Sequence, residues 1–94
     1  MQAQAISEPG ENRQIYRKTV SKRFGRYLAA ARRQAGISQQ ALADQAYIHR
    51  DEISRFERGM VCPRLDTVLR LSASLHDDPV KFLMAVASAV KADG

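Results

Sequence analysis

The chain has 94 residues, 45% hydrophobic and 27% charged, with a formal net charge of +5. That length supports one domain with a modest core, and the apolar fraction is too high for disorder throughout. No run approaches the roughly 18–20 apolar residues of a membrane span, the first residues lack a signal peptide's apolar stretch, and the single Cys62 excludes an internal disulfide or a cysteine-based metal cluster.

The placement of the charge says more than its sum. Residues 13–33 hold Arg13, Arg17, Lys18, Lys22, Arg23, Arg26, Arg32 and Arg33 with no acid between them, whereas residues 34–94 hold seven basic and eight acidic side chains. Such a block repels itself and persists more readily beside a polyanion. A solvated basic region is the plainer alternative. Frequent alanine, leucine, glutamine and arginine, with β-branched residues scattered singly, predict a compact all-α fold of five helices.

In chain order, residues 1–12 read as a disordered leader, with Ser7-Glu8-Pro9-Gly10 as a breaker. Residues 1–19 together form a flexible basic arm, and Ile15, Tyr16 and Val20 either begin an early helical turn or order only on a partner. The folded domain spans 20–91. Its first helix is predicted from about Ser21 to Ala35, with Phe24, Leu28, Ala31 and Ala35 repeating at three and four and Tyr27 widening the stripe. Gly36 suits the position after a helix end, and Ser38 is a good N-cap for a second helix, Gln39–Ala46. A joint at Tyr47, Ile48 and His49 leads to a third helix, Arg50–Arg58, whose Ile53 and Phe56 face inward. Gly or Asn would suit the tight turn better than Tyr47.

Gly59 ends the third helix, and Pro63 opens the approach to a fourth that runs from Leu65 or Asp66 to Leu75. Its predicted stripe is Leu65, Val68, Leu69, Ser72 and Leu75, with Leu71 at the flank. Asp78 then caps a fifth helix from Pro79 to about Lys91, because Pro suits the first helical position. Val80, Leu83, Val86 or Ala87, and Val90 make its stripe, with Phe82 and Met84 adding to it. That is more apolar surface than a small domain needs from its last helix, so part of it is expected to join a homodimer through Val80, Leu83, Met84, Ala87 and Val90. Residues 92–94 are expected to fray.

Arg32 and Gly36, then I-S-Q-Q-A-L-A, then I-H-R-D-E-I-S-R-F-E-R-G, then Pro63 together resemble the helix-turn-helix domains of phage repressor and Cro proteins, the xenobiotic-response-element family of bacterial regulators. They are also similar to the controller proteins of restriction–modification systems. The resemblance covers some sixty residues, from about Phe24 through L-D-T-V-L-R-L-S-A-S-L to Leu83. It implies that Gln39–Ala46 is the scaffold helix and Arg50–Arg58 the recognition helix. It further implies that Gln39 contacts a phosphate and braces that helix, that Arg50, Asp51 and Arg55 read base edges beside His49, and that Arg32 pairs with Glu57. Tyr47 stands where the family has a turn glycine, and His49 where it has a small hydroxyl residue.

The residues themselves suit that assignment. With Ile53 and Phe56 inward, Arg50, Asp51, Ser54, Arg55 and Arg58 lie on the solvent side and its flanks. An α-helix fits the major groove, where arginine makes a bidentate contact to guanine. Asp51 either accepts from a cytosine amine or orients Arg55 one turn on. Arg58, Arg64, Arg23, Arg26 and Ser54 are phosphate candidates. The expected function is sequence-specific recognition of double-stranded DNA by a cytoplasmic, DNA-associated transcriptional regulator that binds an inverted repeat as a homodimer.

An antitoxin or adaptor that binds a protein partner, such as a toxin or RNA polymerase, is the main alternative; a weakly selective nucleoid-like binder is a lesser one. An enzyme is not expected. His49 and His76 have no metal-ligand spacing, Cys62 has no nearby base, Asp77 and Asp78 read as capping residues, and no glycine-rich phosphate loop exists. Neither a metal nor another cofactor is implied.

Overall fold

The computed structural model describes the backbone of residues 9–93 and the side chains of residues 13–91. The described chain forms five helices and no strands: α1 (Pro9–Gln34), α2 (Gln39–Ala46), α3 (Arg50–Glu57), α4 (Leu65–Ser74) and α5 (Pro79–Asp93). The all-α, five-helix expectation holds. The start of α1 does not: the helix begins at Pro9, where the sequence predicts a breaker and a flexible basic arm to residue 19. Pro9 occupies the first helical position, where its missing N–H costs nothing. Once the C-terminal half of α1 is packed, extending it needs no new nucleus. Thr19 and Ser21 fit the extension by donating back to the carbonyls of Ile15 and Arg17, at 3.1 and 2.8 Å. Residues 1–8 of the expected leader lie outside the described residues, as does Gly94 of the expected frayed end; α5 continues past Lys91 to Asp93.

Helix ends follow local chemistry. At Gly36 (φ 74°) the chain leaves α1, with Gly36 N–H donating to Arg33 and Ile37 N–H to Arg32. The Ser38 hydroxyl accepts from the Ala41 N–H at 3.0 Å and so starts α2. Asp78 starts α5 in the same way, its carboxylate accepting from Val80 N–H at 2.8 Å. Its neighbour Asp77, expected to cap as well, accepts from the Asp78 N–H at 2.9 Å through one carboxylate oxygen and from the Tyr27 hydroxyl at 2.9 Å through the other. Burial first, then that hydrogen bond and the carboxylate's charge, raise the Tyr27 pKa above the ordinary phenol value.

All five helices contribute to one core: Phe24 and Leu28, Leu42, Ala43 and Ala46, Ile53 and Phe56, Val68 and Leu71, and Phe82, Val86 and Val90. Phe24 is the hub, edge-on to Phe56 at 5.7 Å and tilted against Phe82 at 5.8 Å. Three sequence assignments change. On α1, Ala29 is buried and Ala35 exposed. On α4, Leu71 is fully buried with Thr67 and Val68, while Leu65 and Leu69 face solvent. On α5, Phe82, Val86 and Val90 form the inward stripe. Val90, at 7% exposure, belongs to the protein's own core rather than to a partner surface.

Candidate nucleic-acid interface

α3 has only two turns, so its position depends on its neighbours. Gly25 of α1 lies against the end of α3 so closely that an added Cβ would collide with the Phe56 carbonyl oxygen and approach that of Glu57 to 3.0 Å. Nothing in the local pattern of α1 marks this glycine, because the surface it fits comes from residues some thirty positions later.

The second anchor is Glu57, whose side chain is 6% exposed. It accepts from Arg32 Nε at 2.6 Å, from Arg32 Nη2 at 3.0 Å and from Gln39 Nε2 at 2.9 Å. Arg32 also donates to the Ile37 carbonyl at 2.9 Å, so α1, α2 and α3 meet at one carboxylate. Burial alone would raise the Glu57 pKa. The hydrogen bonds from Arg32 and Gln39, with the charges of Arg32 and Arg33, outweigh it and hold the carboxyl below its ordinary value. The same hydrogen bond raises Arg32 further, against burial. Gln39 thus braces α3 directly.

Between α2 and α3 the chain turns on Tyr47, which adopts the left-handed conformation (φ 58°, ψ 47°) and is 86% exposed. A non-glycine residue costs about 1–2 kcal/mol there. Ile48 N–H donates to Ala43 at 3.0 Å and tucks its side chain against the core. His49 precedes α3 in extended conformation and makes no side-chain cap; Asp51 and Glu52 balance the partial positive charge of the helix start instead.

This geometry brings several of the sequence candidates together. His49, Asp51, Glu52 and Arg55 surround one open depression of about 330 Å³. Arg50 borders the next, with His49 and Asp51. The Asp51 carboxylate leans toward Arg50, at 3.9 Å, rather than toward Arg55. Arg58 caps the end of α3 and folds back on the Ser54 carbonyl at 3.4 Å, while Ser54 is half-buried. Arg64 is exposed but pairs with Asp66 at 3.2 Å.

By helix geometry, Arg23 and Arg26 lie off the side of α1 that meets α3. At about 100° per residue they lie roughly 160° and 100° around α1 from Gly25, the residue that meets α3. The basic residues on the α3 side are Lys18 and Lys22, within about 20° and 60° of Gly25, with Arg17 about 80° away. The charge block alone does not reveal this, because a run of basic residues carries no mark of which face meets α3.

A family model for helix-turn-helix domains matches residues 28–76, just over half of the chain. No curated protein matches. Among solved structures, the chain is similar to the restriction-modification controller protein C.AhdI from Aeromonas hydrophila, at 29% identity and a TM-score of 0.64, over 66% of this chain and 94% of that one. It is similar also to the clp gene regulator ClgR from Corynebacterium glutamicum, at 18% identity and a TM-score of 0.72, over 79% of each chain. The ClgR likeness bears on the fold alone. With α2 and α3 inside the matched region and the exposed side of α3 bearing Asp51, Arg55 and Arg58, the chain belongs to the helix-turn-helix family of Cro/C1-type DNA-binding transcription regulators.

Proposed function

We propose that the protein regulates transcription by reading an inverted-repeat operator as a homodimer, with α3 of each copy in the major groove. The observation that carries this reading is the cluster at the start of α3. His49, Asp51 and Arg55 share one open depression, with Arg50 beside them, on a helix braced from behind by Glu57 and Gly25. Arg50 and Arg55 are the base readers, each suited to a bidentate contact with guanine; Asp51 and His49 tune the choice of base. Arg58, Arg64 and Ser54 lie nearer the backbone-holding end. Gln39 keeps a second amide hydrogen for a phosphate while bracing Glu57.

Homodimerisation rests on Val80, Leu83, Met84 and Ala87, which share one exposed stripe of α5. The likeness to a restriction-modification controller protein supports a regulatory role of this kind.

Selection of bound sequences from random duplex DNA tests the proposal, followed by titration of the selected site and a scrambled control. The expected winner is a palindrome, and Arg55→Ala should lose about 1–3 kcal/mol of discrimination at the base it reads. Equal binding to selected and scrambled duplexes, unchanged by Arg50→Ala and Arg55→Ala, would sink it.

A further inference from the structure

The N-terminal part of α1 is hard to explain as a folding element. Residues 9–20 run for about 18 Å ahead of Ser21, the first buried residue among the described side chains of the helix, and residues 13–18 are exposed. The family match begins only at residue 28. Like charges one turn apart, Lys18 with Lys22 and Lys22 with Arg26, weaken such a helix, and Ile15, Thr19 and Val20 are poor helix formers.

Its direction is nonetheless fixed. Gly59 (φ 72°), just past α3, packs so that an added Cβ would lie 3.1 Å from the Lys22 Cα. Between α1 and the loop after α3 lies an open cleft of about 480 Å³. Gln14, Arg17, Lys18 and Ser21 line one wall, the 59–62 segment lines the other, and no acid among the residues with described side chains lines either. Arg58 and Arg64 bracket that segment. A cationic cleft continuous with the backbone-holding end of a recognition helix fits the phosphate chain of a duplex.

We propose that this cleft seats the DNA backbone flanking the base pairs read by α3, with Arg17 and Lys18 contacting phosphates beyond those held by Arg58 and Arg64. The proposal rests on the major-groove reading above and extends its footprint outward. Arg17 and Lys18 add affinity to every duplex and carry no base preference. Each cation that neutralises a phosphate adds about 0.9 to the slope of log affinity against log salt.

The test uses the full chain with Arg17→Ala and Lys18→Ala combined, Arg17→Gln with Lys18→Gln as a second pair, and Arg17→Lys with Lys18→Arg as a charge-preserving control. Circular dichroism checks folding. The neutral pairs should lower the salt slope by about 1.8 per protomer, hence about 3.6 for the dimer on its paired site. Between 50 and 200 mM salt, the wild-type dimer should therefore lose about 150-fold more affinity than they do. Their selected base sequence should not change, their outermost backbone protection from hydroxyl radicals should disappear, and the charge-preserving control should behave as wild type. An unchanged slope and footprint in a wild-type protein that does read its operator would overturn the clamp alone. Altered base preference would also overturn it, by making these side chains readers. Absence of duplex binding by the wild type would overturn both readings.

Discussion

Gly25 is the residue on which two physical rules disagree. In the middle of an exposed helix, replacing Gly with Ala gains about 1 kcal/mol through propensity. Here the new methyl group would meet main-chain oxygens of Phe56 and Glu57, which cannot swing aside as a flexible side chain could. Overpacking of this sort costs about 1–3 kcal/mol, occasionally more, so the steric effect should win. Gly25→Ala should lower the urea midpoint and the melting temperature, the latter by several degrees for a domain of this size. Gly36→Ala is the comparison, because nothing lies within 4 Å of the added atom and only the left-handed backbone (φ 74°) resists it. A Gly25→Ala protein as stable as wild type would rule out the close approach of α1 to α3. Gly36 is legible from sequence because a helix end is a local event, whereas Gly25 answers to a surface contributed by another helix. Tyr47 lies between these cases. Spacing locates the turn, but the tyrosine occupies a conformation in which glycine or asparagine would be read.

Among the elements, α2 and α3 are read nearly to the residue, because Ser38, Gly59 and the inward pairs Leu42–Ala46 and Ile53–Phe56 are local signals. For α4, periodicity does not choose between Leu65 with Leu69 and Thr67 with Leu71; packing against α2 and α5 decides. The start of α1 is not legible in the sequence, because Pro9-Gly10 breaks a helix in its middle yet suits its first turn. The resemblance anticipated the ion pair that joins α1 to α3 and the bracing of α3 by Gln39, but not that both act on one carboxylate. Glu57 also takes Gln39, making it a three-helix junction. Its depressed pKa has a stability consequence with a definite sign. Between the ordinary carboxylate value, about 4.3, and the lower folded value, the unfolded chain binds the extra proton. The Glu57 contribution is therefore complete above that window and is lost as pH falls through it. Glu57→Gln should cost about 3 kcal/mol at neutral pH by leaving Arg32 unpaired and mostly buried. The gap to wild type should narrow in denaturant titrations below about pH 4. A gap independent of pH would mean that the carboxylate's charge contributes nothing.

At the scale of the molecule, α5 must serve two surfaces. Phe82, Val86 and Val90 belong to the core, while Val80, Leu83, Met84 and Ala87 form a second stripe left open to solvent. The 0, 3, 4, 7 spacing of that second set is the pattern by which one helix packs on another, and a helix apolar on both sides is more than one small core requires. Two copies joined there would hold their α3 helices in a fixed relation, and readout of successive half-sites requires a separation of about 34–36 Å. Charged substitutions at exposed positions leave the core intact, so Leu83→Glu combined with Met84→Lys should give a folded monomer by light scattering and circular dichroism. That monomer should still bind an isolated half-site like wild type but lose the tighter binding to the paired site, because only the linkage between two recognition helices has gone. Should the variant remain dimeric, or bind the paired operator as wild type does, α5 is not the surface that joins the copies.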